Sequence, residues 1–509
     1  MDWWTFMKVK QVVVGIFLAL ATVRGIRAEQ ARTVTQYGIT WTFDKPYTVG
    51  QFLTGDYWVL GPITVVSVSP APQPAPANAT SSTVKSIYGV VAMTDDKRMR
   101  NGSMIVLQSA RGQGYDSRLI NYRSELSAAF PLKLDPNLSL VSSISNGDDP
   151  APVLLNAMMW KQEATDYLVL KSAAVLTCLR QAPPRDAFRP PYAGTDKPIY
   201  RAKSLRWEIL PKLAPAGAVP DWAQFERYFE RPWLDHIDTW LLQHLGPSEN
   251  QTNYGREFSR ATSIASLMLM LDVPPERKRK LMIGLVQLGI DLHGLAMNGR
   301  QWPGCGGHWN GRKWPILFAG LMLGDKRLLT FPTVASVWDD LATFAIDPVP
   351  GVPPATTIFS EDQQTYYGKG GAGQSVLYQI ILHSMIRPSY EEKPPATYTP
   401  TERWMDGYRG TCSVGWPGTA LAAQLMKAKA LWDHDAFFDY CDRWMDHDVN
   451  PTRRSIPIEG NGRSDPFVQA MWTAYRQRVP DQPGGKDNLK WVWKDEKTGQ
   501  FVLNPKGGD

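Results

Sequence analysis

Cysteine is scarce in this chain, and its few cysteines are scattered. None of the four lies in a CxxC pair, although the sequence has 509 residues. A structural zinc site depends on close ligand spacing, so we expect no metal site. A chain of this length buries enough core without disulfides, although export is compatible with one or two. The four are Cys178, Cys305, Cys412 and Cys441.

Several catalytic motifs are also missing. The seven histidines show no HExxH spacing, and no Gly-x-Ser-x-Gly nucleophile elbow occurs. The glycine run at 368–373 lacks the spacing and the Ser/Thr of a phosphate loop. There is no basic run or aromatic-basic repeat, which argues against a nucleic-acid partner. The sequence therefore predicts neither a nucleotide nor any other cofactor.

The N-terminus has the pattern of an export signal. Lys8 and Lys10 precede an apolar run at 11–23, and Ala28 offers a small residue for cleavage. The run is short for a bilayer span, so we predict a signal peptide over 1–28 and no stable membrane span afterwards. An uncleaved N-terminal anchor is the alternative. Without this segment the formal net charge falls from +6 to about +3, which suits an anionic substrate.

Residues 29–150 are predicted to form a β-rich N-terminal module. Residues 33–43 alternate apolar and polar side chains with period two, and further short apolar runs follow across turns. A Pro/Ala/Ser loop at 70–83 interrupts the module. Residues 151–219 are interpreted as a linker or irregular region.

Near residue 220 the spacing of apolar residues changes from every second residue to every third or fourth. Residues 220–480 are therefore predicted to be helical. Residues 281–297 are apolar nearly all round, which indicates a buried helix rather than a membrane span, because polar residues interrupt the run. A buried helix among amphipathic ones predicts an (α/α) toroid; a bundle or solenoid is the alternative. The fold class is thus mixed and mainly α, with a C-terminal tail at 481–509. The predicted helices cover 221–245, 260–271, 279–297, 313–323, 331–344, 419–432 and 435–445.

The loop at 298–312 contains the strongest single candidate, His308. Glycines around it permit unusual backbone conformations, and imidazole exchanges protons near neutral pH. Its tryptophans could stack on sugar faces and its arginines could pair with carboxylates. A structural turn is the alternative. The substrate-binding candidates in this loop are Arg300, Trp302, Trp309 and Arg312.

Two further segments carry candidates. In residues 253–257 we assign Asn253 and Arg256 to a substrate carboxylate and Tyr254 to proton transfer; an N-cap is an equally good reading of Asn253. In residues 361–367, Tyr366 and Tyr367 could donate a proton to a leaving oxygen, and Glu361 could bind substrate. Glu361 or Asp362 could instead be a glycosidase carboxylate, with Glu257 or Asp291 opposite.

A β-rich module joined to a helical toroid, in an exported chain with these loop residues, resembles the (α/α)-toroid polysaccharide lyases, which include alginate, glucuronan and heparin-type enzymes. The resemblance concerns the architecture of residues 220–480, and here the β module precedes the toroid. It implies that Asn253 and Arg256 neutralise a uronate carboxylate. It also implies that His308 and a tyrosine move the protons.

Three hypotheses follow. The first is a secreted or periplasmic lyase that cleaves a uronic-acid-containing, anionic polysaccharide by β-elimination. The second is a glycoside hydrolase with paired carboxylates, and the third is a non-catalytic glycan-binding protein with an aromatic surface.

Overall fold

The computed structural model describes about two thirds of the chain. The predicted signal peptide up to residue 27, the predicted helix at 331–344, Asn253 and Cys305 lie outside the described residues, as does most of the predicted tail. The described residues are 28–73, 86–87, 90–91, 99–119, 121–147, 168–238, 245–252, 254–302, 307–329, 359–367, 376–378, 412–446, 463–479, 492–494 and 501–503.

A mixed, eight-stranded sheet curls into a half-barrel. Its strand order is β7-β9-β10-β3-β2-β4-β8, and β1 pairs with β2. Neighbouring strands are antiparallel, except that β10 runs parallel to β3. The strands up to residue 179 are β1 (Glu29–Gln36), β2 (Ile39–Gln51), β3 (Tyr57–Leu60), β4 (Ile63–Ser69), β5 (Ser86–Ile87), β6 (Val90–Val91), β7 (Ser103–Ile105), β8 (Leu132–Leu134), β9 (Ser139–Ser145) and β10 (Leu170–Leu179). Of these, β5 and β6 pair with each other in a separate two-stranded sheet. Two further small hairpins consist of β11 (Thr365–Tyr367) with β12 (Val376–Tyr378), and β13 (Val492–Lys494) with β14 (Phe501–Leu503).

The first hairpin follows directly from its sequence. Tyr37 and Gly38 both adopt positive φ, at 49° and 81°, which is the backbone that a tight two-residue hairpin turn requires. Beyond the turn, Ile39, Trp41 and Phe43 are buried at alternate positions and fill the inside of the curled sheet. The period-two pattern at 33–43 therefore predicted strand correctly, but it did not predict the turn that divides this stretch into two strands.

Strand β10 corrects the predicted boundary of the β-rich part. It falls within residues 151–219, interpreted above as a linker, yet it pairs with β9 and β3 in the middle of the sheet. Ala174, Leu176 and Cys178 pack inside the half-barrel, whereas Ala173 and Val175 belong to the core shared with the helices. Because both faces are covered, β10 is almost continuously apolar and lacks the alternation that marks a half-buried strand.

Ten α-helices lie in the described part of the chain after residue 220. Most predicted helices are confirmed, and α4 has the predicted bounds. The predicted helix at 221–245 is wrong in length: α1 ends at Phe229, shortly before Pro232, which lacks a backbone N–H. The helices are α1 (Trp222–Phe229), α2 (Gly255–Leu269), α3 (Pro275–Met297), α4 (Lys313–Leu323), α5 (Lys326–Leu329), α6 (Ser360–Gln364), α7 (Trp416–Leu425), α8 (Lys429–Trp432), α9 (Asp435–Asp446) and α10 (Pro466–Tyr475).

The prediction of a mainly α fold with an (α/α) toroid is wrong. The structure is 38% helical and 22% strand, and its described helices show no toroid. Helix α3 is buried, as its all-round apolar sequence indicates. The elements that cover it, however, are not the ring of helices that a toroid would supply. Gly284 packs against Phe229, Gly289 against Pro315 of α4, and Gly294 against Pro191 of a loop. An apolar helix thus reveals that it is buried without revealing which elements bury it.

Helix α3 is also long and apolar enough to cross a membrane by length and composition alone. In the structure 78% of its apolar window is buried inside the protein. This is the environment expected of a core helix.

A buried ion pair connects α3 with the sheet. Arg189 is fully buried, and its Nε donates to Asp56 Oδ2 at 2.7 Å, in the turn that precedes β3. Its two terminal nitrogens donate to the carboxylate of Asp291 in α3, at 2.9 and 2.6 Å. Gln36 and Gln287 reinforce the connection, because Gln36 donates to Asp56 and Gln287 donates to the Arg189 carbonyl. We call Asp56, Arg189 and Asp291 the buried triad.

Replacing Arg189 by Met should lower the free energy of unfolding by about 3–5 kcal/mol, because two buried carboxylates lose their cation. Urea denaturation followed by tryptophan fluorescence measures this. The control is Arg206→Met, which removes one partner of the exposed Arg206–Glu208 pair at 3.5 Å and should cost less than about 1 kcal/mol. Equal losses in the two variants would contradict the role given to the triad.

Candidate functional site

Three predicted segments meet at one junction. A Cβ on Gly255 would lie 2.2 Å from the carbonyl oxygen of His308, so only glycine allows the start of α2 to approach the 298–312 loop this closely. Gly311, with φ of 89°, packs in the same way against Ser259. The backbone N–H of Gly311 donates to Glu361 Oε1, in a very short hydrogen bond, and this links the loop to α6.

His308 and Tyr254 form the centre of this junction. Their rings are in edge-to-face contact, with centroids 5.0 Å apart. The backbone N–H of Gly307 donates to the Tyr254 hydroxyl oxygen at 3.1 Å. Both side chains are only half-buried, whereas most of the other described candidates are buried. They therefore combine mutual contact with access to solvent, and we call them the His308–Tyr254 pair.

Arg256 lies beside this pair. Its guanidinium carbon is 5.4 Å from the centroid of the Tyr254 ring, and its Nε donates to Glu257 at 2.5 Å. Arg260 lies 3.6 Å from the same Glu257 oxygen and binds both oxygens of Asp465 at 2.9 and 2.8 Å. The bond to Glu257 thus holds the Arg256 guanidinium beside the pair.

Arg300 and Arg312 have a different environment from the one predicted. Both are buried beside Asp235. Arg312 donates to the two Asp235 oxygens at 3.0 and 3.2 Å, and Arg300 Nε donates to the Asp235 carbonyl at 2.8 Å. Their positive charges thus pair with an internal carboxylate. The prediction that they bind a substrate carboxylate is not supported by this arrangement. Asp235 fixes the two ends of the loop.

The two tryptophans of the loop are buried too. Trp302 is stacked on Phe359, with ring centroids 5.5 Å apart, and its indole N–H donates to Asp235 at 2.9 Å. Trp309 is 5% exposed and lies 5.6 Å from the Arg300 guanidinium. Among the described residues, the exposed large hydrophobic side chains are all aliphatic. The geometry therefore offers no support here for an aromatic sugar platform.

Glu361 and Asp362 differ in their surroundings. Glu361 is buried, which raises its pKa from 4.5 to about 7, although the Gly311 N–H bond acts in the opposite direction. Its Oε2 has no hydrogen-bond partner in the described structure. Asp362, in contrast, accepts hydrogen bonds from Lys313 and from the indole N–H of Trp432. Glu361 can thus hold a proton near neutral pH.

The remaining predicted site residues are only partly placed. Tyr366 and Tyr367 lie in β11, beside Glu361 in sequence, but the structure describes only their backbone. Asn253 lies outside the described residues, so its carboxylate-binding role stays a prediction. Asp291, considered above as a second carboxylate, belongs to the buried triad.

Sequence reasoning missed several residues that hold the junction together. Asn310 Oδ1 accepts from Ser360 at 2.8 Å and from Gln364 at 3.3 Å. His434 Nε2 lies 2.9 Å from the Thr365 carbonyl oxygen. Asp235 offered the clearest signal, because it is an acidic residue within an apolar stretch. Its partners, however, are 65 and 77 residues away.

The described residues contain no group of three or more His, Cys, Asp or Glu side chains that could hold a metal ion. Cys178, Cys412 and Cys441 are buried. Burial raises the pKa of Cys178 to about 12, and it raises that of Cys441 as well, so neither favours the reactive thiolate.

Comparison with known proteins adds no relative: no protein-family model, curated protein or solved structure matches this chain.

The raised pKa of Glu361 gives a test of its protonation. A carboxyl group whose pKa is raised in the folded state stabilises the fold most when the pH lies below its unfolded-state pKa. This stabilisation is lost as the pH rises through the folded-state pKa. Glu361→Gln removes the titration and can keep the Gly311 hydrogen bond. The free energy of unfolding of the variant should therefore rise relative to wild type between pH 4.5 and about 7, by up to about 3 kcal/mol.

Urea denaturation at several pH values measures this difference. Glu125→Gln, at an exposed position, controls for the loss of one negative charge. A difference between Glu361→Gln and wild type that does not change across this pH range would contradict a protonated Glu361.

Proposed function

We propose that this protein is an exported, secreted or periplasmic lyase that cleaves a uronic-acid-containing polysaccharide by β-elimination. The observation that carries the proposal is the His308–Tyr254 pair, which combines two proton-transfer groups in contact with partial access to solvent. The proposal rests on this pair, since the toroid that suggested the lyase resemblance is absent from the described helices.

The mechanism assigns one proton to each member of the pair. His308, as a neutral imidazole, removes the proton from C5 of the uronate. The electron pair left at C5 forms the C4–C5 double bond while the bond between C4 and the glycosidic O4 breaks. Tyr254 gives its hydroxyl proton to the departing O4. The Gly307 N–H, 3.1 Å from the Tyr254 oxygen, then stabilises the phenolate.

The developing negative charge at the uronate carboxylate needs a positive partner. Arg256 is the candidate on the described chain, because its guanidinium lies over the Tyr254 ring. Preorganised charge of this kind lowers the barrier by several kcal/mol in many enzymes. Asn253, which precedes Tyr254 in sequence, remains the second proposed carboxylate ligand.

A glycoside hydrolase is the alternative, and Glu361 is the observation that favours it. A carboxyl group with a pKa of about 7 can act as a general acid near neutral pH. However, Glu361 is 2% exposed, and one of its oxygens is engaged by Gly311. The lyase proposal is preferred because its reacting groups are the half-buried ones.

Replacing His308 by Ala, or Tyr254 by Phe, should lower turnover of a uronate polymer by about 100- to 10,000-fold, because each change removes one proton-transfer group. Tyr254→Phe keeps the ring that contacts His308 and removes only the hydroxyl group. Absorbance of the unsaturated product measures turnover. Tyr47→Phe, which removes a hydroxyl group bonded to Asp44 in the sheet region, is the matched control and should be fully active.

Glu361→Gln separates the two candidate enzymes. The lyase should retain most of its activity in this variant, whereas a hydrolase with Glu361 as its acid should lose nearly all of it. Activity that is abolished in Glu361→Gln but unaffected in His308→Ala would transfer the assignment to the hydrolase.

A further inference from the structure

A separate cleft, with a volume of about 360 Å³, lies at the C-terminal end of α3. Its walls come from α3, from α5 and from the loop at 191–200, and it includes neither His308 nor Tyr254. Gly294 of α3 allows the loop to approach, since a Cβ there would lie 2.2 Å from the Pro191 Cβ. The volume is in the range of sites that bind small organic molecules.

One part of the cleft is apolar. Pro191, Pro198 and Met297 contribute CH-rich surfaces, and Met297 is 59% exposed although it is a large hydrophobic residue. The ring of Tyr200 lines the same space. Such surfaces pack well against the CH faces of a sugar ring.

The polar part offers both acceptors and donors. His293 Nε2 lies 2.9 Å from the Arg327 carbonyl oxygen, and because a carbonyl only accepts, Nε2 carries the proton. Burial lowers the pKa of His293, so the ring is neutral at neutral pH and its Nδ1 is an acceptor. The Tyr200 oxygen accepts from Arg327 at 3.3 Å, and its own proton remains available for donation.

The charged groups that line the cleft sum to +1, and Asp325 just outside brings the set to zero, so the group that can bind an anion is the exposed side chain of Arg327. Lys326 and Arg327 contribute two positive charges, and Asp196 contributes one negative charge. Asp325, just outside the lining, lies 3.5 Å from Arg327, whose side chain nevertheless remains 57% exposed. A guanidinium group in this position can form paired hydrogen bonds with a carboxylate.

We propose that this cleft is a second saccharide site, which binds a single uronic acid residue through its carboxylate, its hydroxyl groups and one CH face. Arg327 and Lys326 attract the carboxylate, while His293 and Tyr200 hydrogen-bond the hydroxyl groups. Met297 and the two prolines pack against the ring. The ligand class is shared with the proposed function, but the residues that support the second site all belong to the cleft.

Isothermal titration calorimetry of the full chain with D-glucuronate, and with D-glucose as the neutral probe, tests the proposal. A monosaccharide has no glycosidic bond to cleave, so turnover cannot interfere. We expect glucuronate to bind more tightly than glucose. Met297→Glu should weaken glucuronate binding about ten-fold, because it places a like charge at the rim of the cleft. Met297→Lys keeps an aliphatic stem for the ring and adds a charge opposite to that of the carboxylate, so it should weaken binding less than Met297→Glu does.

Because Met297 is exposed, these two variants should fold normally. Val219→Glu, at another exposed apolar position, controls for the added charge. Arg327→Gln should also weaken binding about ten-fold, through the loss of a charged hydrogen bond.

Three outcomes would overturn the inference: no glucuronate binding, glucose binding as tightly as glucuronate, or glucuronate binding unchanged in Met297→Glu. The His308→Ala variant separates this result from the proposed cleavage. Glucuronate binding that persists in His308→Ala and weakens in Met297→Glu supports the second site, whatever the activity. Binding lost only in His308→Ala would place glucuronate at the His308–Tyr254 pair and contradict the cleft.

Discussion

The ion pairing of Arg189 with Asp56 and Asp291 is the contact on which the rest of the arrangement depends. It lies where the half-barrel meets α3, and all three side chains are buried. A buried charge is tolerated only when its partners are correctly placed, so this contact fixes the position of α3 relative to the sheet. The candidate loop at 298–312 begins directly after α3. The position of His308 thus depends on the packing of α3 against the sheet, which involves residues distant from His308 in sequence.

The same principle recurs around the junction. Asp235 gathers Arg300, Arg312 and the Trp302 indole, so one internal carboxylate anchors both ends of the loop. Asp362 similarly joins Lys313 to the region of Trp432. Most charged side chains near the junction therefore hold other protein groups. His308 and Tyr254 are instead half-buried and uncharged at the start of the proposed reaction, which is why the proton transfers are assigned to them.

Sequence periodicity was informative wherever an element's environment is local. The strand pattern around Tyr37 and Gly38, the buried α3 and the bounds of α4 could all be predicted, because each depends on neighbouring residues. The turn at Tyr37 and Gly38 was not predicted. Strand β10 could not, since burial on both faces removes the alternating pattern. The prediction of a toroid was wrong for a related reason. The apolar sequence of α3 carries no information about the elements that cover the helix.

The candidate site was predictable in location but not in the role of each residue. The segments that contain Tyr254, His308 and Glu361 were singled out in the sequence by their polar groups, and the structure brings them together. The pairing of Arg300 and Arg312 with Asp235 was not, because contacts between residues so far apart in sequence leave no local signature. A cationic side chain in a glycine-rich loop looks the same in sequence whether it binds a ligand or an internal acid.

The central claim is that His308 and Tyr254 perform an elimination. The most direct test is to cleave a uronate polymer in water enriched in heavy oxygen. β-Elimination breaks the C4–O4 bond without adding water, so mass spectrometry should show products free of solvent oxygen and one unsaturated ring per cut. Hydrolysis adds one solvent oxygen at each cut and leaves no double bond. Products that carry the heavy oxygen and lack ultraviolet absorbance would contradict the account.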